Sequence, residues 1–268
     1  MSASTVAAPA VDRRFPRAGA LCLAVFRRNF LVWRKTAWST IMGDVLEPMV
    51  VLLALGYGMG VLVPEIQGVP YIVFLSAGSI CMGTLYGATF ESTYAAFSRL
   101  QIQRTWDGML NTPVSLDDVI WAEALWATAK ALKSGVAILL VVALLDISRV
   151  PTLLWIPPVL AVAGFTFASL GLAVSALARS YDFFIYYFTL FITPTVFLSG
   201  VFFPMENLPR AMVFVVDLLP MAAAIDLVRP LVLGEPPVSP WLHLAQLAIT
   251  GLLALWVTAI LMRRRFLR

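Results

Sequence analysis

Histidine occurs once in the chain, at His243, and lysine only three times, at Lys35, Lys130 and Lys133. A single imidazole excludes a His-rich metal site and leaves little from which a nucleophile–base pair can be assembled. None of the lysines follows the glycine frame G-x-x-x-x-G-K-[ST], so the phosphate loop that would hold a nucleotide is missing. The two cysteines, Cys22 and Cys81, stand in separate apolar segments without metal or redox spacing. Charge is scarce as well, at 13% of residues, against about a quarter in soluble domains. Residues 1–12 are small and polar and carry no basic stretch ahead of an apolar core, so they read as a flexible tail rather than a signal peptide. No catalytic residue, no metal ligand, no cofactor bound by this chain and no nucleic-acid partner are expected.

What is present is apolar. Hydrophobic residues make up 60% of the chain and the mean hydropathy is +0.88, an excess that points to lipid as part of the solvent. A helix crossing the hydrocarbon needs ~20 mostly apolar residues. Six stretches qualify: 45–63, 71–95, 131–147, 153–177, 183–203 and 242–262. The expected fold is all-α, one polytopic domain over 13–268 with six transmembrane helices. The linkers 64–70 and 148–152 have room only for turns, whereas 96–130 and 204–241 are long enough for local structure.

With the N-terminus placed in the cytoplasm, sixteen of the 19 Lys and Arg residues fall on the inner side. Only Arg149, Arg210 and Arg229 fall outside, a strong bias under the positive-inside rule that also puts the C-terminus inside. Ahead of the first span, residues 13–37 read as an interfacial amphipathic helix. Cys22, Val25, Phe26, Phe30 and Trp33 share one face, and Arg17, Arg27, Arg28, Arg34 and Lys35 the other. Such a helix lies in the headgroup layer, either as a topology anchor or as a docking element.

Carboxylates are nearly absent from the spans apart from Glu47, Glu91 and Asp146, which argues against an ion-coupled carrier. Asp146 stands at a helix end, where solvation is the ordinary explanation. Glu91 costs ~2.5–3.5 kcal/mol near mid-span unless paired, and Arg99, Arg104, Lys130 or the basic N-terminal helix are its candidate partners. Between the second and third spans, Thr105–Leu110 reads as a short helix with Trp106, Met109 and Leu110 exposed, stopped by Asn111 and Pro113. Ser115 is placed to cap the next helix, with Asp117 and Asp118 in its first turn. The exposed apolar residues fit either a knob for a partner's groove or a helix lying flat on the membrane. Beyond the fifth span, apolar runs such as 211–216 are broken by Pro204, Pro209, Pro220, Pro230, Pro236, Pro237 and Pro240. Too short to cross and too apolar for a solvated loop, they suit either re-entrant half-helices or a cap on the outer leaflet. In the first span, Gly56 and Gly60 offer a small-xxx-small face for a second helix.

Two stretches resemble the ABC-2 type permeases, and within them the nodulation-type and polysaccharide (O-antigen) exporter branch. One is Ala88-Thr-Phe-Glu91-Ser-Thr-Tyr94-Ala-Ala-Phe97, running into Gln103-Arg104-Thr-Trp106-Asp107-Gly-Met109-Leu110-Asn-Thr112-Pro113. The other is Phe197-Leu-Ser-Gly200-Val-Phe-Phe203-Pro204-Met-Glu206-Asn-Leu208-Pro209, with Leu219-Pro220 and Arg229-Pro230 beyond it. The resemblance implies an exporter permease in the bacterial inner membrane that works as a homodimer. Each copy would sit on a separately encoded ATP-binding cassette subunit, where ATP and Mg are bound. Its coupling helix would be formed here by Arg104, Thr105, Trp106, Asp107, Met109, Leu110, Thr112 and Pro113, with Glu91 as a brace that transmits its motion. The resemblance also implies an external gate, here Gly200, Phe203, Pro204 and Pro209. An amphipathic cargo would pass residues such as Lys130 and Lys133 and the stripe Phe183, Tyr187 and Phe191, although snorkelling lysines and plain aromatic packing explain these residues as well. A lipid-linked or acylated saccharide is the expected cargo. A drug or lipid exporter of the same class is the close alternative, and a membrane-embedded enzyme the competing one.

Overall fold

The computed structural model describes residues 13–205 and 209–266. The tail 1–12, the gate-motif residues Glu206 and Leu208, and Arg268 lie outside the described residues, as does the side chain of Glu47. The chain is an all-α polytopic membrane protein. Four helices are long and apolar enough to cross a bilayer: α3 (Tyr71–Ile102), α5 (Leu116–Leu144), α6 (Pro151–Leu177) and α10 (Pro240–Phe266). Between and around them run α1 (Cys22–Arg34), α2 (Ala37–Gly58), α4 (Thr105–Leu110), α7 (Asp182–Leu198), α8 (Arg210–Asp217) and α9 (Pro220–Leu233). The apolar parts of α2 and α7 are shorter, Pro48–Val61 and Asp182–Leu198.

Helix starts are written in the sequence. Proline opens α6, α9 and α10, where its missing N–H costs nothing. Ser115 begins α5 with a capping box, its hydroxyl accepting from Asp118 N (3.1 Å) while the Asp118 carboxylate accepts from Ser115 N (3.2 Å). The 64–70 linker holds more than a turn. Residues 65–66 and 69–70 pair as an antiparallel hairpin, with Gln67 and Gly68 both at positive φ in the tight loop. Inside the apolar helices, hydroxyls donate to carbonyls one turn back, as Thr84 does to Ile80 O (3.0 Å) and Thr93 to Thr89 O (2.6 Å). A polar atom removed from water needs such a partner.

The main core lies where α3 packs against α5, α6 and α9, and includes Leu75, Ile80, Leu85, Ile138, Leu160, Ile225 and Val228. A second cluster lies between α4, the start of α5 and the end of α10, built from Trp106, Val119, Ile120, Leu255, Ala259 and Met262. Two expectations change at this level. The third helix begins at Leu116, not near 131, because the charges of its first half are paired inside the bundle. Of the two glycines, Gly56 touches Ile72 of α3 whereas Gly60 meets open space, so the small-residue face serves a contact within the chain at one position only.

Candidate functional site

The N-terminal segment is a helix only over α1. Residues 13–19 are extended and strapped across the starts and ends of other helices. Trp256 Nε1 donates to Arg13 O (2.8 Å), Arg263 to Arg14 O (2.6 Å), Trp121 Nε1 to Pro16 O (3.0 Å), and Gly19 N to Asp118 Oδ1 (2.8 Å). Arg263 also holds Asp117 at 2.7 Å, joining the end of α10 to the start of α5. The apolar face of α1 rests on α5, not on the headgroup layer alone. Cys22 and Val25 are buried with Ala122, and Phe26, Phe30 and Trp33 surround the Trp126 ring at centroid distances of 5.6, 6.5 and 6.0 Å. The polar arc is divided. Arg27, Arg34 and Lys35 are exposed, but Arg28 is half-buried and donates to Asn29 (3.0 Å). Desolvation holds the Arg28 pKa below its ordinary value, Arg99 adds to that, and Glu123 opposes it.

Asn29 leads into a buried ionic node between α1, α3 and α5. Its amide donates to Glu123 Oε1 (3.2 Å), and Arg99 grips Glu123 with two bonds of 3.0 and 2.5 Å. The same guanidinium reaches Glu91 at 2.8 Å, Trp126 Nε1 donates to Glu91 (2.9 Å), and Lys130 Nζ stands 3.8 Å from its other oxygen. Glu91 is therefore paired by Arg99 and Lys130, two of the partners foreseen, while the structure gives it no ion pair with Arg104. Glu123 is the residue that sequence reasoning passed over. It is 1% exposed and carries the stronger half of the node. Its only signal was a shared helix face with Trp126 and Lys130. At Glu91 the helix α3 widens to π-helical turns over Glu91–Ala95 and again over Ser98–Ile102, irregularities that occur often at functional positions.

Directly below the node the chain reverses. Arg104 adopts a left-handed φ of 49°, and Thr105 Oγ1 donates to Arg99 O (3.1 Å), so α4 is tied to the residue at the node's centre. The helix spans Thr105–Leu110 as expected, but its exposure does not follow expectation. Trp106 is completely buried, its ring parallel to Phe266 at 6.4 Å, and Met109 and Leu110 are half-buried. The tryptophan is a root that seats α4 on α10, because the large apolar area it would expose is covered by Leu255, Ala259 and Met262. The outward surface of this segment is polar: Arg104, Asp107, Gly108, Asn111, Thr112 and Pro113.

At the far end of the bundle, Gly200 (φ 81°) ends α7, and its carbonyl accepts from Arg229 of α9. The Arg229 guanidinium stacks on the Phe74 ring at 3.9 Å. Phe203 and Pro204 are half-buried beside this knot and Pro209 is exposed. Helix α9 is enclosed by α3, α6 and α10, with Met221, Ala224, Ile225 and Val228 buried. The substrate-path residues do not form one group. Lys130 and Lys133 stand over the Trp33 ring at 6.0 and 5.7 Å, between α1 and α5. Phe183 and Phe191 are exposed on α7, with Tyr187 half-buried and 6.0 Å from Phe191. Tyr181, with Phe90 and Tyr94, shares a cavity of about 460 Å³ with Glu91 and Lys130. Asp146 is exposed at its helix end and paired with Arg149 at 3.0 Å.

A lipid-embedded helical bundle whose cytosol-type loop is a short helix rooted beneath a buried charge cluster defines a transport subunit moved by a partner. Residues 20–233 match the ABC-2 type transporter family, and the chain belongs to it. It is similar to nodulation protein J of Rhizobium leguminosarum bv. viciae, 45% identical over 253 residues that cover 94% of this chain and 98% of that one. The nodulation protein J of Sinorhizobium fredii is 42% identical over 245 residues, 91% of this chain and 94% of its own. That of Bradyrhizobium diazoefficiens is 39% identical over 245 residues, with the same coverage. The chain is thus a transmembrane subunit of an ATP-binding cassette exporter, and its family implies an ATP-binding cassette partner.

Proposed function

We propose that the chain is one half of a homodimeric permease in the bacterial inner membrane, with both termini cytoplasmic and six crossings, α2 and α7 supplying the two shorter ones. It exports an amphipathic, lipid-linked or acylated saccharide. Binding and hydrolysis of ATP with Mg belong to the partner ATPase, which docks against the polar outward surface of α4. The observation that carries this reading is the Glu91–Arg99–Glu123 node. It joins α1, α3 and α5 immediately above α4, and Arg99 O holds Thr105 of α4 itself. A displacement of α4 by the ATPase therefore passes into three helices as one rigid movement, since packed elements shift between discrete arrangements rather than deform. The resemblance to nodulation protein J supports the saccharide cargo. The Arg229–Gly200 knot and enclosed α9 support an external gate at Gly200, Phe203, Pro204 and Pro209. The cavity beside Phe90, Tyr94 and Tyr181 supports an aromatic approach for the cargo, continued along Phe183, Tyr187 and Phe191.

Reconstitution of the permease with its ATPase in proteoliposomes tests the brace. Glu91→Gln is expected to leave assembly and basal ATP hydrolysis in place while cargo-stimulated hydrolysis and export fall together. Unchanged export by this variant would remove Glu91 from the mechanism. Photolabelling of the purified complex with acylated oligosaccharides and with lipophilic drugs separates the two cargo classes.

A further inference from the structure

The groove between α1 and α5 has no part in the path just described, and its chemistry is that of a ligand site. Its upper end is a cavity of about 260 Å³ walled by Phe26, Phe30, Trp33, Trp126 and Ala129, with Lys130 and Lys133 at the rim. Both ammonium groups lie over the Trp33 ring, at 6.0 and 5.7 Å. Lys130 is shared with Glu91 of the node at 3.8 Å, whereas Lys133 faces the cavity side alone among the three grooves described between these helices. Below, through the common walls Phe26 and Ala129, opens an apolar groove of about 670 Å³ between Leu23 on α1 and Leu125, Thr128 and Leu132 on α5. Leu23 is 71% exposed, so the groove is open along its outer side. The exposed Arg27, Arg34 and Lys35 add positive charge along the same helix.

We infer that this groove holds one diacyl phospholipid with an anionic headgroup from the inner leaflet, its phosphate beside Lys133 and Lys130 and an acyl chain along Leu23, Leu125 and Leu132. A long apolar trough with two ammonium groups at one end matches such a lipid in both shape and charge. An apolar partner helix would leave the rim charges facing nothing, and a zwitterionic lipid would oppose them with its own cation. Seated there, the lipid closes the open side of the α1–α5 contact and holds α1 against the node through Asn29 and Glu123. The inference rests on the cytoplasmic placement of α1 proposed above. It does not depend on which cargo is exported.

The test uses the complete permease–ATPase complex in nanodiscs, without ATP or cargo, with diazirine-tagged phosphatidylglycerol or phosphatidylcholine at equal mole fraction. Phosphatidylglycerol is expected to label peptides covering 23–33 and 125–133 in preference to phosphatidylcholine. Lys133→Gln should lower that labelling about fivefold and Lys133→Arg should restore it. Equal labelling by both lipids in the wild-type complex would overturn the inference without recourse to any variant, leaving ordinary boundary lipid. Labelling abolished by millimolar inorganic phosphate would overturn it too, in favour of a free anion. Because the readout involves no transport, a negative result leaves the coupling role of Glu91 standing, and a failed Glu91→Gln test leaves the lipid site standing.

Discussion

Glu91 and Glu123 share one guanidinium, yet they are unequal partners. Arg99 gives Glu123 two bonds, and Asn29 gives it a third, whereas Glu91 takes one from Arg99 and one from Trp126. Removing one member of a buried pair leaves an uncompensated charge and costs ~3–5 kcal/mol. Glu123→Gln is therefore expected to be the more destabilising of the two changes, by about 3 kcal/mol, measured as loss of monodisperse protein on heating in detergent. Glu91→Gln should cost much less, since Arg99 keeps Glu123. Equal losses would mean that the node is one undivided charge cluster. Sequence alone gave Glu91 away, because an acid inside an apolar run is costly and needs a reason. Glu123 was hidden for the opposite reason: set among Asp117, Asp118 and Lys130, it looked like one more charge of a polar loop.

At the scale of the helix, α4 shows what local pattern can and cannot reveal. Its limits, its stop at Asn111 and Pro113 and the Ser115 cap of α5 follow from residues within a few positions of each other, so they were readable. The burial of Trp106 was not, since its partner Phe266 comes from the other end of the chain. The same blindness misplaced the start of α5 by a dozen residues or more, because Arg263, which neutralises Asp117, lies in the last turn of α10. Two outcomes follow for these elements. Trp106→Ala should cost ~3–5 kcal/mol through the cavity it leaves, and should release α4 so that the ATPase co-purifies poorly. Trp106→Phe should be nearly neutral, because the indole Nε1 finds no acceptor among the described residues and its loss leaves nothing unpaired. Asp107→Lys, on the outward surface, should weaken ATPase association without shifting the melting temperature. Ser115→Ala should lower stability by ~1 kcal/mol, the ordinary value of a helix cap.

For the molecule as a whole, the distribution of uncovered apolar surface bears on how two copies meet. On α7, Ile185, Tyr186, Leu190, Phe191 and Phe197 are exposed, and on α2 Trp38, Met42, Leu46, Val50 and Tyr57. Lipid alone would cover such faces, and it does so at Leu140 on α5 and Leu253 on α10. What separates α2 and α7 is length: their apolar stretches are the two that fall short of a full crossing. A short apolar helix in a bilayer is relieved by thinning of the membrane or by association with another protein surface. In a homodimer the second course is open, and it would bring the exposed aromatics of α7 next to the cavity lined by Phe90, Tyr94 and Tyr181. The two native cysteines are buried, so single cysteines can be introduced without background reaction. Tyr186→Cys or Leu190→Cys is expected to give a crosslinked dimer with a short bifunctional maleimide in native membranes, while Leu140→Cys and Leu253→Cys stay monomeric under the same conditions. Crosslinking through Leu140 or Leu253 instead would move the interface to α5 or α10. The aromatic stripe of α7 would then face lipid, and the cargo route would have to be sought within a single copy.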